Sequence, residues 1–210
     1  MYKLLTVAMC SMPFFAHSAL NENKFGYIGI AAQKNYYDVN FIPLIEQQEI
    51  LPLRYDYSDT GTGFRGFAGY QFNQYLAIEA GFSVLGEAEF NVYSETTNQS
   101  GTVVKNSVYS GGLETNALDL RLLGTYPITG NVFVRAHLGS VLWDSNFSFL
   151  QKFSDDYFIV DQKDSGVSLL TGLGIGYALS SGTALTLDYE NTKINDSNTH
   201  NIVASIVFKL

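Results

Sequence analysis

Seven side chains have the types and spacing to do chemistry: Arg65, Glu79, Asp119, Arg121, Arg135, His137 and Asp188. Each is set in an alternating run, on the side opposite the apolar residues. Asp119 and Arg121 interleave with Leu118, Leu120 and Leu122, Arg135 and His137 with Val134 and Leu138, and Asp188 with Leu187. Such a set could be an acid–base site, an ion path, or a paired network that neutralises charges held away from water. Three arginines stand against three carboxylates in it. Buried charges must be paired or their desolvation goes unmet, so the balance predicts a filled, charge-paired interior. His137, beside Arg135 and Asp119, reads as a hydrogen-bonded interior histidine.

Nucleophilic and metal chemistry find less support. His200 has Ile202, not a serine, two residues on, and no histidine reaches the adjacent pair Asp144 and Ser145, so no His/Asp/Ser set for acyl transfer assembles. The chain has no HExxH, no Cys/His cluster and no phosphate loop. Asp155-Asp156 would hold Ca²⁺ only weakly and reads as a solvated loop. No catalytic residue, cofactor or metal is expected.

The elements that position the seven groups follow from composition and periodicity. At 210 residues the chain is one domain with a processed end. Nineteen glycines and 14 % aromatics suit a β protein with tight turns, and charged residues are only 15 %, against roughly 25 % in soluble domains. A net charge of −8 argues against nucleic acid, which selects basic faces, and reads as loop solvation. Residues 1–18 form a secretory signal: Lys3 is the basic start, Leu4 to Phe15 the apolar stretch, and Ala16-His17-Ser18-Ala19 the small-residue exit, with cleavage after Ser18 or Ala19. Cleavage removes Cys10, the one cysteine, so the mature chain reaches an oxidising compartment without a thiol. No other stretch is long and apolar enough for a transmembrane helix, so any span must be β.

Residues 20–210 then read as strands. Gly69 to Phe82 carries two alternating runs around a two-residue break, Asn73-Gln74, expected to be a hairpin turn. Further strands are expected over Phe25 to Lys34, Gly63 to Phe72, Asn116 to Tyr126, Val132 to Leu138, Val167 to Ala178, Leu185 to Glu190 and Asn201 to Leu210. The connection Asn35 to Gly61 contains Pro43 and Pro52, which keep parts of it out of a central ladder. Glu87 to Thr115 goes on alternating, with Phe90 and Val92 going up and Val104 and Val108 coming back, which predicts a hairpin protruding past the rim. Asp144 to Gly166 is expected to be a third long connection. Eight strands with alternately long and short connections have the rhythm of an outer-membrane barrel. The expected fold is therefore all-β, an eight-stranded antiparallel up-and-down transmembrane β-barrel.

Parity assigns the faces. Leu76, Ile78, Phe82, Leu118, Leu120, Leu122, Val134, Leu138, Leu173, Ile175, Leu185, Leu187, Ile206, Phe208 and Leu210 share the apolar face and are expected to meet lipid. From the second strand on, no charge falls among them within the span; one there would cost about 2–4 kcal/mol at mid-bilayer. The other face carries Gly, Ala, Ser and Thr among the ions, as a lumen filled by its own side chains requires. Tyr70, Phe72, Tyr126, Tyr177 and Phe208 cluster at the short-turn end as an aromatic girdle.

At these residues the sequence resembles the OmpA-type transmembrane domain of Gram-negative outer membranes. The resemblance rests on Gly69 to Gly81, on Leu122-Leu123-Gly124-Thr125-Tyr126-Pro127-Ile128-Thr129, on Leu138-Gly139 before Trp143, and on Val207-Phe208-Lys209-Leu210. It implies a lumen salt-bridge network in which Glu79 and Arg121 hold two of the family's positions. The family's other acid–base pair falls on Gly176 and Thr186, leaving Arg65, Asp119, Arg135 and Asp188 to supply substitutes. The protruding hairpin is similar to the small OmpX-type barrels, whose exposed sheet edges are implicated in adhesion. No peptidoglycan-binding domain is expected after the last strand, and Leu210 stands where such barrels usually end in Phe.

The expected function is that of a non-enzymatic outer-membrane barrel, exported through the periplasm. It would meet outer-membrane lipid and lipopolysaccharide with its wall, and a host-surface or phage partner with its loops. Unpaired backbone groups on the Val92 and Val104 to Val108 strands would add an extended partner strand. A lipid A-modifying enzyme and a small low-conductance channel are the alternatives.

Overall fold

A computed structural model describes residues 24–38, 53–57, 60–97, 103–153, 156–194 and 197–210. The signal segment, Pro43, Pro52 and the hairpin tip at 98–101 lie outside the described residues. Among the described residues nine strands follow in chain order: β1 Phe25–Tyr37, β2 Leu53–Tyr57, β3 Thr60–Gln71, β4 Leu76–Thr97, β5 Val103–Pro127, β6 Val132–Phe153, β7 Asp156–Ala178, β8 Thr183–Ile194 and β9 Ser197–Lys209. All pairings are antiparallel, and β4–β5 together with β1–β9 close the ring β1-β3-β4-β5-β6-β7-β8-β9. The wall therefore has eight strands, and β2 is an accessory strand laid on the upper part of β4.

Alternation runs through every wall strand with a period of two, as a pleat between unlike solvents demands. Along β3 the side chains from Gly61 to Ala68 alternate buried and exposed, and along β8 those from Leu185 to Glu190 do the same. The exposed residues are the apolar ones: Leu173 is 69 % exposed, Phe64 69 % and Ile30 64 %. A water-facing wall of such breadth would be an apolar patch far beyond what soluble monomers show. The buried row holds the ions and hydroxyls together with two apolar clusters.

At one end the strands are joined by tight turns. The first spans residues 72–75: Phe72 N–H donates to Leu76 C=O at 2.9 Å, and Asn73 Oδ1 accepts from Tyr75 N–H and Leu76 N–H at 2.8 and 3.0 Å. It is thus a four-residue turn organised by the Asn73 side chain, not the two-residue break the alternation suggests.

The other end differs from expectation in three ways. Asp144 to Gly166 is not a loop, because β6 and β7 stay in register from Val132↔Tyr177 up to Phe153↔Asp156. Its phenylalanines, tyrosine, Ile159 and Val160 are strand formers, and they continue the ladder past the wall. The connection after β1 contains β2, whose residues Leu53 to Tyr57 pair with Ser94 to Phe90 of β4. The Val92 strand consequently has β5 on one side and β2 on the other and is not an open edge. The expected hairpin itself is present as a backbone ladder, Thr97↔Val103 down to Glu87↔Glu114.

Wall and protruding ladder meet at a β-bulge. The β4–β5 register slips between Val84 and Glu87, and Gly86 there has φ 79°. That left-handed conformation suits glycine, and a Cβ on Gly86 would also run into the Thr62 backbone. Tyr37 OH donates to the Leu85 carbonyl at 3.3 Å, and Asn35 Nδ2 donates to the same oxygen, so β1 satisfies the carbonyl that the bulge exposes.

Candidate functional site

Three layers fill the barrel. Tyr27, Ala31, Phe67, Ala77, Leu123 and Val203 form an apolar layer in the short-turn half. Leu85, Ala117, Val141, Trp143, Leu170 and Ile194 form another below the long-hairpin rim. The Arg65–Glu79–Asp119–Arg121 cluster lies between them, whereas Arg135 and Thr186 stand beside Tyr27, Ala77 and Leu123 at the short-turn mouth. Arg65, Glu79, Asp119, Arg121, Arg135, His137 and Asp188 are all buried and all point inward.

Arg65 on β3 is the bridge of the larger cluster. Its Nη2 donates to Glu79 Oε1 at 2.7 Å and to Asp119 Oδ1 at 2.8 Å, and its Nε donates to Asp119 Oδ2 at 2.9 Å. Arg121 donates from Nε to Asp119 Oδ1 at 2.8 Å and sits 3.9 Å from Glu79 Oε1. Tyr27 OH adds a bond to Glu79 Oε2 at 3.3 Å. Such bidentate, charge-assisted bonds are stronger than neutral ones and hold the planar guanidinium in one orientation.

The sequence count of three against three omits Glu190. It is buried on the inward row of β8, where it accepts from Arg121 Nη1 at 2.6 Å and lies 3.3 Å from His137 Nε2. Three guanidiniums therefore face four carboxylates, with His137 as the remaining base. Glu190 carries the alternating signal that marks Thr186 and Asp188, two residues further along. His137 accordingly belongs with Glu190 rather than with Asp119. The second cluster is compact: Arg135 donates from Nε to Asp188 Oδ1 at 2.6 Å, from Nη2 to Thr186 Oγ1 at 2.8 Å, and from Nη2 to Asp188 Oδ2.

Three inward glycines of β7 let β6 side chains reach β8. In register, Gly172 stands between His137 and Glu190, Gly174 between Arg135 and Asp188, and Gly176 between Phe133 and Thr186. A Cβ on Gly172 would strike the His137 ring, one on Gly174 the Asp188 carboxylate, and one on Gly176 the Phe133 ring. Gly81 plays the same part on β4, under the Arg65 guanidinium that reaches across to Asp119.

The residues weighed for catalysis are held apart. Asp144 is exposed on the outer face, whereas Ser145 is buried on the inner one, 2.8 Å from Thr115 Oγ1. His200 stacks on Tyr189 with ring centroids 5.8 Å apart, and its Nδ1 is 2.9 Å from both Tyr189 OH and Asn191 Nδ2. No group of three metal-ligating side chains occurs among the described residues.

The outward residues complete the site. Leu76, Phe82, Leu118, Leu120, Leu122, Val134, Leu138, Leu173, Ile175, Leu185, Leu187, Phe208 and Leu210 are exposed, and Ile78 and Ile206 are half-buried in the same rows. Tyr70, Phe72, Tyr126, Tyr177 and Phe208 are exposed near the short-turn end. Phe90, Val92, Val104 and Val108 lie on the protruding β4–β5 ladder.

A closed antiparallel barrel with an apolar wall, paired ions inside, tight turns at one end and long hairpins at the other defines an outer-membrane barrel of the small, filled kind. The family described as "OmpA-like transmembrane domain" matches residues 21–207, and the chain belongs to that family. Outer membrane protein A of Serratia marcescens is 28 % identical over 191 residues, covering 89 % of this chain and 47 % of the relative. Outer membrane protein A of Klebsiella pneumoniae is 25 % identical over 177 residues, covering 84 % and 46 %. The chain thus spans about half the length of these curated relatives. Among solved structures, Ail, the attachment invasion locus protein of Yersinia pestis, matches with a TM-score of 0.50 at 14 % identity, covering 89 % of this chain and 97 % of that one; this is a likeness of fold. The protein is an outer-membrane protein, and its long-hairpin end is the extracellular one.

Proposed function

We propose that the chain is a non-enzymatic barrel that serves the envelope as a rigid wall element and recognises extracellular partners with the sheet standing above its rim. The observation that carries this is the pairing of that sheet. Residues Val103 to Val108 of β5 pair with β4 alone among the described residues, and β7 from Asp156 to Ser168 pairs with β6 alone, the Leu169 carbonyl already accepting from Thr192 Oγ1 of β8 at 3.0 Å. Each leaves a row of backbone donors and acceptors that an extended segment of a host-surface or phage protein can complete. Recognition by the Val92 strand falls away, since β2 covers it, and the long β7 edge takes its place. The non-enzymatic part of the reading is supported by how the polar side chains are engaged: His137 and Glu190 belong to the ion network, Asp144 and Ser145 face opposite ways, and His200 is held on its outer face by Tyr189 and Asn191.

The test trims the β6–β7 ladder. Deleting residues 147–162 and joining Asn146 to Lys163, which are cross-strand partners, through a short Gly-Ser turn removes most of the β7 edge, and Val104→Pro with Val108→Pro in the same chain blocks the β5 edge, while the wall is left intact. Cells displaying the trimmed chain should lose adherence to host-cell monolayers yet keep heat-modifiable migration on a gel. Unchanged adherence by a folded, trimmed barrel rejects the proposal.

A further inference from the structure

The upper lumen has oxygens left over. Asn35 on β1, Asn201 on β9 and Glu190 on β8 are cross-strand neighbours on one inward row, and Tyr37, Thr199 and Thr192 make the row above. All six are buried, Asn35 and Thr199 with 0 % exposure. Asn35 Nδ2 and Tyr37 OH both donate to the Leu85 carbonyl, which fixes the Asn35 amide and leaves its Oδ1 as an acceptor. Asn35 reaches that carbonyl because its β3 partner is Gly61; a Cβ there would lie 3.0 Å from the same oxygen. Thr192 Oγ1 is engaged with the Leu169 carbonyl. Asn35 Oδ1, Asn201 Oδ1 and Thr199 Oγ1, by contrast, have no hydrogen-bond partner among the described residues. Unmatched buried polar atoms are uncommon in native folds, and three on neighbouring positions require a cause.

Charge is left over beside them. Among the described residues the buried ions are three guanidiniums, Arg65, Arg121 and Arg135, against four carboxylates, Glu79, Asp119, Asp188 and Glu190. One carboxylate lacks a counter-charge unless His137 takes a second proton. Glu190 is the one next to the unmatched oxygens. Its contacts with Arg121 and His137 both fall on Oε1, so neither engages Oε2, and Asn201 is its partner on β9.

We infer that this arc of the lumen is a monovalent-cation site, in which Asn35 Oδ1, Asn201 Oδ1 and Thr199 Oγ1 supply neutral oxygens and Glu190 supplies the charge. Amide and hydroxyl oxygens replace the hydration shell of sodium or potassium as backbone carbonyls do in a selectivity filter. The surplus of one negative charge sets the valence. A lone carboxylate among neutral oxygens is too little charge to hold Ca²⁺ tightly, and a divalent ion would leave the lumen one charge in excess the other way. Gln33, one inward row below, has its Nε2 unpartnered and offers Oε1 once its amide is turned over. The site is independent of the extramembrane sheet, because all of its groups lie on the inward rows of β1, β8 and β9.

The experiment uses the full chain folded in zwitterionic vesicles and unfolded with urea in sodium chloride, potassium chloride or N-methylglucamine chloride at equal concentration, the last cation being too large to enter. With sodium or potassium in excess the unfolding equilibrium constant should fall about ten-fold relative to N-methylglucamine. The effect should saturate as binding at one site does, instead of growing with ionic strength. Asn201→Leu and Thr199→Val each remove one ligand oxygen with little change of volume and should abolish the difference between salts. In N-methylglucamine the Asn201→Leu barrel should be about as stable as the unaltered chain, because an unmatched amide gives way to an apolar group. Ser205→Ala, two inward positions further along β9, also removes an unpartnered hydroxyl and should keep the full response. Heat-modifiable migration verifies that each variant is folded. Equal midpoints in all three salts mean that water and a protonated His137 meet the need, and they overturn the site. A response that survives both Asn201→Leu and Thr199→Val puts the cation elsewhere and overturns it too.

Discussion

Charge occurs in two settings within this wall, one strand face apart. Inside, Arg65, Glu79, Asp119, Arg121, Glu190 and His137 form one connected cluster, and Arg135 with Asp188 and Thr186 another. Outside, Lys34 and Lys193 stand at the rim without ion-pair partners among the described residues. Burial explains the contrast. An ion buried in the lumen has little bulk water to solvate it, so the fold must provide a counter-ion and the glycines that let it arrive. An ion at the rim keeps water and headgroups within reach of a long flexible stem. Inner charge is thus structural by necessity, whereas outer charge is free to bind.

The largest effect should come from breaking the inner cluster where its bonds converge. Arg121 touches Asp119, Glu190 and, at 3.9 Å, Glu79. Arg121→Leu would leave Glu190 with His137 alone and Asp119 with Arg65 alone. Removing one partner of a buried pair costs about 3–5 kcal/mol, measurable as a lowered urea midpoint for the barrel folded in lipid vesicles. A midpoint within error of the unaltered chain would mean that water, not the network, solvates the lumen.

Next in size is the neighbouring residue on the other face. Leu120 is 54 % exposed to the outside while Arg121 is buried. Leu120→Arg should cost about 2–4 kcal/mol in the same vesicles if it sits near mid-bilayer, and Tyr126→Arg, near the short-turn interface, about 0–1. Equal costs at the two sites would remove the depth dependence that a membrane-embedded wall requires.

These faces were legible from alternation, because a period of two needs no knowledge of the third dimension. The interior partners were less so. Parity puts Asp188 and Glu190 on one row, but their partners are set by which β6 residue lies two strands away, across a glycine. That depends on the register His137–Gly172–Glu190, which residue types do not encode. The turn at residues 72–75 departs from the break that alternation suggests because Asn73 organises it through its side chain. β2 is not legible for another reason: Leu53-Arg54-Tyr55-Asp56-Tyr57 is short and lies in a proline-bearing connection, and it forms a strand because β4 extends far enough to pair with it. The upper β6–β7 ladder was hidden by its length, since a strand was expected to end with the membrane.

A smaller effect tests the clearance that glycine provides inside. Gly172→Ala forces a methyl group against the His137 ring, and overpacking of this kind costs about 1–3 kcal/mol. In the Gly172→Ala/His137→Ala double variant the clash is gone. The cost of Gly172→Ala should therefore shrink in the His137→Ala background, giving a coupling of about 0.5–3 kcal/mol in a double-mutant cycle. Additive costs would show that the glycine serves the backbone and not the imidazole.

The smallest stability effect is expected where charge is outermost. Lys34 bonds to no described side chain, and its strand continues to Tyr37 through backbone pairs with β3 and β9 that a side-chain change leaves intact. Lys34→Gln removes the ammonium but keeps a long polar side chain, so the unfolding midpoint in zwitterionic vesicles should move by no more than about 0.5 kcal/mol. The same pair of proteins compared in vesicles containing anionic lipid should separate, because the unaltered lysine there gains about 1 kcal/mol from the surface charge. A destabilisation of Arg121→Leu size in zwitterionic vesicles would mean that Lys34 is part of the barrel's internal architecture. A difference that opens only with anionic lipid would mean that the rim lysine spends its charge on the membrane.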